Sequence, residues 1–229
     1  MPDAIGCGCV NVIDPQWQVL RNQSKCDFHK AHMRAPKDLD ASYYEELGTL
    51  QNPNAHIIEF QDAFEELERL LPDGAGRIAL EVGCGASRYV PMFIAHRYRY
   101  LGIDPSRWAC EWVRSQPSQT PVLSLAMGLE QFSPEPSQFA VILAAHVAEH
   151  LEHAPEQIER MRDWLLPGGR LYLIVPDGRD DPWNPDHLWF FEPDSLKTML
   201  DQIGYADIRL TSRRHVERER FIYCCAVKP

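Results

Sequence analysis

The chain has 229 residues, of which 45% are hydrophobic and 24% charged, a size and balance that suit one globular domain with at most a small appendage. It contains no run of about 18 or more apolar residues, so no transmembrane helix is expected. A formal net charge of −10 disfavours a broad nucleic-acid surface, which needs Lys and Arg to neutralise phosphates.

Residues 1–52 show no sustained periodicity and read as an N-terminal appendage with one or two short helices, a candidate lid carrying Tyr43 and Tyr44. The start of the chain lacks the basic-then-apolar pattern of a secretory leader. Cys7 and Cys9 with Cys26, His29 and His32 invite a zinc reading, but their spacing matches no common structural zinc pattern. No metal ligand is therefore assigned. Seven cysteines, an odd number partly inside apolar segments, read as core thiols in a reducing cytosol.

The core is expected over 53–229. Asn52 and Pro53 read as a cap followed by proline at the first helical position. Ile57, Phe60, Phe64, Leu67 and Leu71 then recur at helical spacing. Strands and helices alternate from there, which favours a largely parallel sheet covered on both faces. Strand one is expected over 77–82, a helix over 89–96, and strand two over 100–103. A helix capped by Ser106 follows, then strand three over 121–125 and strand four over 139–144. Pro155 opens the next helix, and strand five runs over 170–175. A last helix begins at Asp194 or Ser195 and ends at Gly204, before a closing antiparallel hairpin over 207–212 and 221–227.

The chemistry concentrates at the strand ends. Strand one runs into Glu81, then Gly83-Cys84-Gly85; strand two ends in Asp104. Glycines let the backbone turn tightly and let a ligand approach closely. A helix start just beyond would present free N–H groups and a positive dipole end. An acid ending the second strand suits ribose hydroxyls in a doubly wound nucleotide site. Strand four continues into Ala145-His146-Val147-Ala148-Glu149-His150-Leu151, and Leu165-Leu166-Pro167-Gly168-Gly169 leads into strand five.

In these four motifs and their order, the chain resembles the class I S-adenosylmethionine-dependent methyltransferases. The resemblance covers roughly residues 57–229. It implies a doubly wound, seven-stranded, mostly parallel α/β sheet of order 3-2-1-4-5-7-6 with an antiparallel C-terminal strand. It implies S-adenosylmethionine as cofactor and S-adenosylhomocysteine as product. By resemblance Glu81 lies near the methionine amino group and Asp104 on the ribose hydroxyls. Gly83, Cys84 and Gly85 give backbone approach, with Pro105, Gly128 and Ala145 around them. Met127 and Leu129 either touch adenine or pack in the core. Two positions depart from the common pattern: Ser87 replaces a third glycine, and Gly128-Leu129-Glu130 stands where many relatives carry Asp-Ala-Glu.

A base is needed only where the acceptor carries a proton, and histidine suits that work near neutral pH. His146 is the first choice because it follows a strand end, which is rigid; His187, in a His-aromatic segment, and His150 are the other candidates. The acids Asp177, Asp180, Asp181 and Asp186 read as a solvated loop rather than a cation site. The expected activity is methyl transfer to a small-molecule acceptor, at oxygen first, in the cytoplasm and away from membranes. An RNA or protein methyltransferase, with an arginine patch near the C-terminus, shares the core; a cofactor-binding protein without turnover and a nicotinamide-dependent dehydrogenase are the other readings. The oligomeric state is left open.

Overall fold

The computed structural model describes residues 10–24, 65, 67–116, 118, 120–180, 187–215 and 219–229. Its main sheet is assembled from β3 (Ile78–Val82), β4 (Arg99–Asp104), β5 (Val122–Ala126), β6 (Phe139–Ala145), β7 (Leu165–Pro176), β9 (Ala206–His215) and β10 (Glu219–Val227). Their spatial order is β5-β4-β3-β6-β7-β10-β9. Counted within the core, that is the expected 3-2-1-4-5-7-6. The first five strands pair in parallel, and β10 is antiparallel to both β7 and β9. Because β3 and β6 are adjacent while the chain winds outward from them in opposite directions, the switch point lies between their carboxyl ends.

The central strands are apolar on both faces, since helices cover both. Leu80, Val82, Ile142 and Ala144 pack into one core layer, and Ala79, Val141 and Leu143 into the other. The helices follow local rules. Ser106 caps α2 (Arg107–Ser115) by accepting the Ala109 N–H at 3.1 Å. Glu192 and Ser195 form a reciprocal capping box at the start of α4 (Pro193–Ile203), and Gly204 ends that helix at φ +93°. In α3 (Ala154–Trp164), Ile158, Met161 and Trp164 lie buried against the sheet. Of the helix expected before the first core strand, residues 65 and 67–70 are helical and Leu67 and Leu71 are buried; its earlier part lies outside the described residues.

Two expectations need correction. The first crossover helix, α1, spans Val90–Ala95, within one residue of the expected bounds at each end, but it does not supply the free N–H groups expected beside the glycine turn: its second residue is Pro91, which has no N–H. It starts well beyond Gly85, so the N–H groups beside the switch point belong to the glycine turn rather than to a helix end. The second concerns the appendage. Its described part is not helical: β1 (Val10–Ile13) and β2 (Leu20–Ser24) form an antiparallel hairpin. The Asp14 carboxylate accepts the N–H groups of Gln16 and Trp17 at 3.0 and 3.1 Å, closing the turn that Pro15 favours. The hairpin gains a third strand, β8 (Trp189–Phe190), with Leu20 opposite Phe190 and Arg21 opposite Trp189. That partner is distant in sequence, so the local pattern alone underestimates the strands. Tyr43, Tyr44, Cys7, Cys9, Cys26, His29 and His32 lie outside the described residues. Cys84, Cys110, Cys224 and Cys225 are buried free thiols, as expected.

Candidate active site

Two clusters meet at the switch point. The first is built from the ends of β3 and β4. Gly83 and Cys84 donate their N–H groups to the Ile103 carbonyl at 2.8 and 3.0 Å, folding the glycine turn over β4. Gly83 and Gly85 hold φ of +65° and +48°, the left-handed region glycine tolerates. A Cβ on Gly83 would stand 2.3 Å from Val147 Cγ2. The glycine turn therefore packs directly on the turn that follows β6.

Asp104 is 6% exposed. One of its oxygens accepts the Gly85 N–H and the other the Ser106 N–H, both at 2.8 Å. Burial raises its pKa, and these two N–H groups oppose the shift. Each carboxylate oxygen keeps a further lone pair for a ligand hydroxyl. The Met127 N–H bonds to the Asp104 carbonyl at 2.9 Å, which brings Met127 and Gly128 to the same rim. Pro105 is exposed and Ala145 half-buried there. The Leu129 side chain is buried in the main core cluster, and the Cys84 side chain in the second. Glu81 is 3% exposed and receives the Ser87 and Tyr100 hydroxyls, each at 2.7 Å. Burial pushes its pKa up to about 7 against the pull of these two donors. An acid in that state gains from an ammonium ion beside it, so the set fits a ligand with a cationic amine and a ribose. Tyr100 received no role from sequence, and Ser87 was marked only as standing where a third glycine is common.

The second cluster follows β6. His146 has φ +56°, an uncommon backbone state for a residue with a side chain. Its N–H bonds to the Ile174 carbonyl at 2.8 Å, and its ring meets Phe221 edge to face with centroids 5.0 Å apart. A 3₁₀ turn, Ala148–His150, then turns Glu149 inward until its side chain is 1% exposed. His146 Nδ1 lies 3.5 Å and His150 Nε2 3.9 Å from Glu149 Oε1. Burial alone would raise the Glu149 pKa, but His146, His150 and His187 together hold it below the ordinary range. His187 is brought in by the chain entering β8. Leu188 donates to the Glu149 carbonyl at 2.7 Å, and the Trp189 indole to the Leu151 carbonyl at 2.8 Å. The His150 and His187 rings stand 4.9 Å apart. All three histidine candidates thus gather round one carboxylate. Glu149 itself received no role from sequence, although its place just past an apolar strand was visible.

Asp177 departs from the solvated-loop expectation. It is fully buried, pairs with Arg179 and accepts the Ser212 hydroxyl at 2.7 Å, so it ties the end of β7 to β9. Asp180 pairs with Arg220 at 3.3 Å, while Asp181 and Asp186 lie outside the described residues.

Residues 55–210 match the family model described as a methyltransferase domain. The chain belongs to this family. It is a class I S-adenosylmethionine-dependent methyltransferase, as its motifs implied. Among curated relatives, a tRNA U34 carboxymethyltransferase of Methylococcus capsulatus is 28% identical over 164 residues, covering 64% of this chain and 50% of that protein. A probable S-adenosylmethionine-dependent methyltransferase of Mycobacterium tuberculosis is 25% identical over 159 residues, 67% of this chain and 57% of that one. The chain thus spans about half the length of the curated relatives it matches. Among solved structures, an S-adenosylmethionine-dependent methyltransferase of Listeria monocytogenes aligns with TM-score 0.62 and 17% identity over 72% of this chain and 97% of that one. A Haemonchus contortus phosphoethanolamine N-methyltransferase, solved with S-adenosylhomocysteine, aligns with TM-score 0.67 and 12% identity over 86% of this chain and 61% of that one. No helix among the described residues is long and apolar enough to cross a membrane.

Proposed function

We propose that this methyltransferase acts in the cytoplasm on a hydroxyl of a small-molecule acceptor. When bound, S-adenosylmethionine supplies a methyl group activated by a sulfonium centre. Glu81 faces the methionine amine, Asp104 accepts from the ribose hydroxyls, and the backbone of Gly83, Cys84 and Gly85 lies along the ligand. Met127 and Gly128 border the adenine.

One observation carries the choice of oxygen. His146 sits at the end of the switch-point strand, with Nδ1 3.5 Å from a buried carboxylate. A neutral amine already offers a lone pair, whereas an alcohol gains from losing its proton. An imidazole beside a buried carboxylate is suited to taking that proton, because the negative charge stabilises its charged form. His146 is therefore the base, with His187 and His150 beside it. A small acceptor agrees with the net charge of −10. It also agrees with the pairing of Arg220, one of the hairpin arginines, to Asp180.

The tRNA relative favours a second reading, an RNA acceptor. Labelled-methyl transfer to hydroxylated small molecules and to tRNA, assayed side by side, separates the two. His146→Ala should lower turnover by about 10²–10⁴-fold and leave S-adenosylhomocysteine affinity nearly unchanged. Near-normal turnover in that variant, with loss in His187→Ala, would move the base to His187.

A further inference from the structure

We propose that Glu149, His150 and His187 form a binding site for one divalent transition-metal ion of the zinc type, adjoining the acceptor side of the cofactor cleft. Each residue offers one ligand atom, and the three atoms lie within 4.8 Å of one another. Metal–ligand bonds of about 2.0–2.2 Å place neighbouring ligand atoms roughly 3–3.5 Å apart, so closure round an ion asks for side-chain movements on the order of 1 Å.

The second observation is Glu149 itself. Its side chain is 1% exposed, and neither carboxylate oxygen has a hydrogen-bond partner among the described residues. Burying an ionised carboxylate without donors is costly, and such groups are normally paired or bound to a metal. The nearest nitrogens, on His146 and His150, stop at 3.5 and 3.9 Å, short of good hydrogen bonds. A cation between Glu149 and the two rings satisfies the carboxylate directly.

The ligands are also well anchored. The hydrogen bonds from Leu188 to the Glu149 carbonyl and from the Trp189 indole to Leu151 lock the His187 segment against the Glu149 turn. Two imidazoles and one carboxylate select zinc-like or ferrous ions over magnesium or calcium, which prefer all-oxygen shells. Three protein ligands leave positions open, as in catalytic rather than structural sites. His150 is 43% exposed, so the open side faces outward. Val147, between His146 and the ligand turn, touches the cofactor turn at Gly83. An acceptor hydroxyl on an open position would lose its proton more readily to His146, with the alkoxide oxygen held by the ion. That role rests on the oxygen-acceptor reading; the binding of the ion does not.

The test uses the full chain, stripped with chelator and titrated with Co²⁺ as the probe. Stoichiometric binding with a visible d–d spectrum, displaced by Zn²⁺ and not by Mg²⁺, is expected. Glu149→Gln and His187→Ala should each weaken Co²⁺ binding by at least the roughly 10–100-fold that follows loss of an outer-shell partner, while S-adenosylhomocysteine affinity persists. His150→Ala, at a half-exposed position, serves if a buried variant misfolds. Equal Co²⁺ binding by wild type and variants overturns the site. Stoichiometric binding with methyl transfer indifferent to chelation overturns the ion's role but leaves methyl transfer standing. Binding without transfer to any hydroxyl substrate overturns the oxygen reading and leaves the ion site.

Discussion

Glu81 makes the energetics of the proposed cofactor end testable without a substrate. Its carboxyl is 3% exposed and has its pKa lifted from 4.5 to about 7 by burial. Between those two values the folded chain holds a proton there that the unfolded chain has released. Stability must therefore fall as pH rises through the window, by up to about 1.4 kcal/mol per pH unit and on the order of 3 kcal/mol across it, before levelling off. Glu81→Gln keeps the shape and an acceptor for the Tyr100 and Ser87 hydroxyls, but cannot ionise. Without ligand, the variant should match wild type near pH 4.5 and exceed it by up to about 3 kcal/mol near pH 8. Urea unfolding at several pH values measures both, and their difference cancels the titration of every other group. S-adenosylhomocysteine should reverse the order, since its amine favours the ionised form that the variant lacks; wild-type affinity should also rise with pH toward about 7. A difference in stability between wild type and variant that stays constant with pH would refute the buried-acid reasoning.

Gly83→Ala should destabilise the fold by about 2 kcal/mol or more, because it forces a side chain to φ +65° and onto Val147. Adding Val147→Ala should recover part of that loss in thermal melts, and no recovery would mean the contact is not the cause. Asp104→Ala should weaken S-adenosylhomocysteine by roughly 1–3 kcal/mol in calorimetry; unchanged affinity would remove Asp104 from the ribose. Deleting residues 1–24 strips the partner strand from β8 beside His187. Cofactor affinity should largely survive while methyl transfer drops, and full transfer by the truncated chain would exclude a covering role for the hairpin.

The glycine turn and the two strand-end acids of the candidate site were legible because their requirements are local. A tight turn needs Gly83 and Gly85 wherever it occurs, and strand-end acids such as Glu81 and Asp104 announce themselves by interrupting apolar runs. The histidine cluster was legible only in part. His146, His150 and His187 could be named as candidates, but the residue at their centre, Glu149, received no role although it lies in the motif that follows strand four. Asp177 was misjudged for the converse reason: its partners Arg179 and Ser212 arrive from the loop and from β9, and only they make its burial tolerable.

Periodicity and turn chemistry in the sequence by itself determined the alternation of strands and helices, the capping of α2 at Ser106 and the stop at Gly204. These depend on interactions within a few residues, which a linear pattern carries. Strand order reached the sequence reading through family resemblance, since no spacing says which strand lies beside which. Tertiary structure alone decided that the N-terminal segment pairs with β8, that Val147 closes on Gly83, and that His187 joins Glu149 and His150. Each of those contacts joins segments distant in the chain, where burial of apolar faces and satisfaction of backbone donors bring together residues whose local patterns carry no trace of one another.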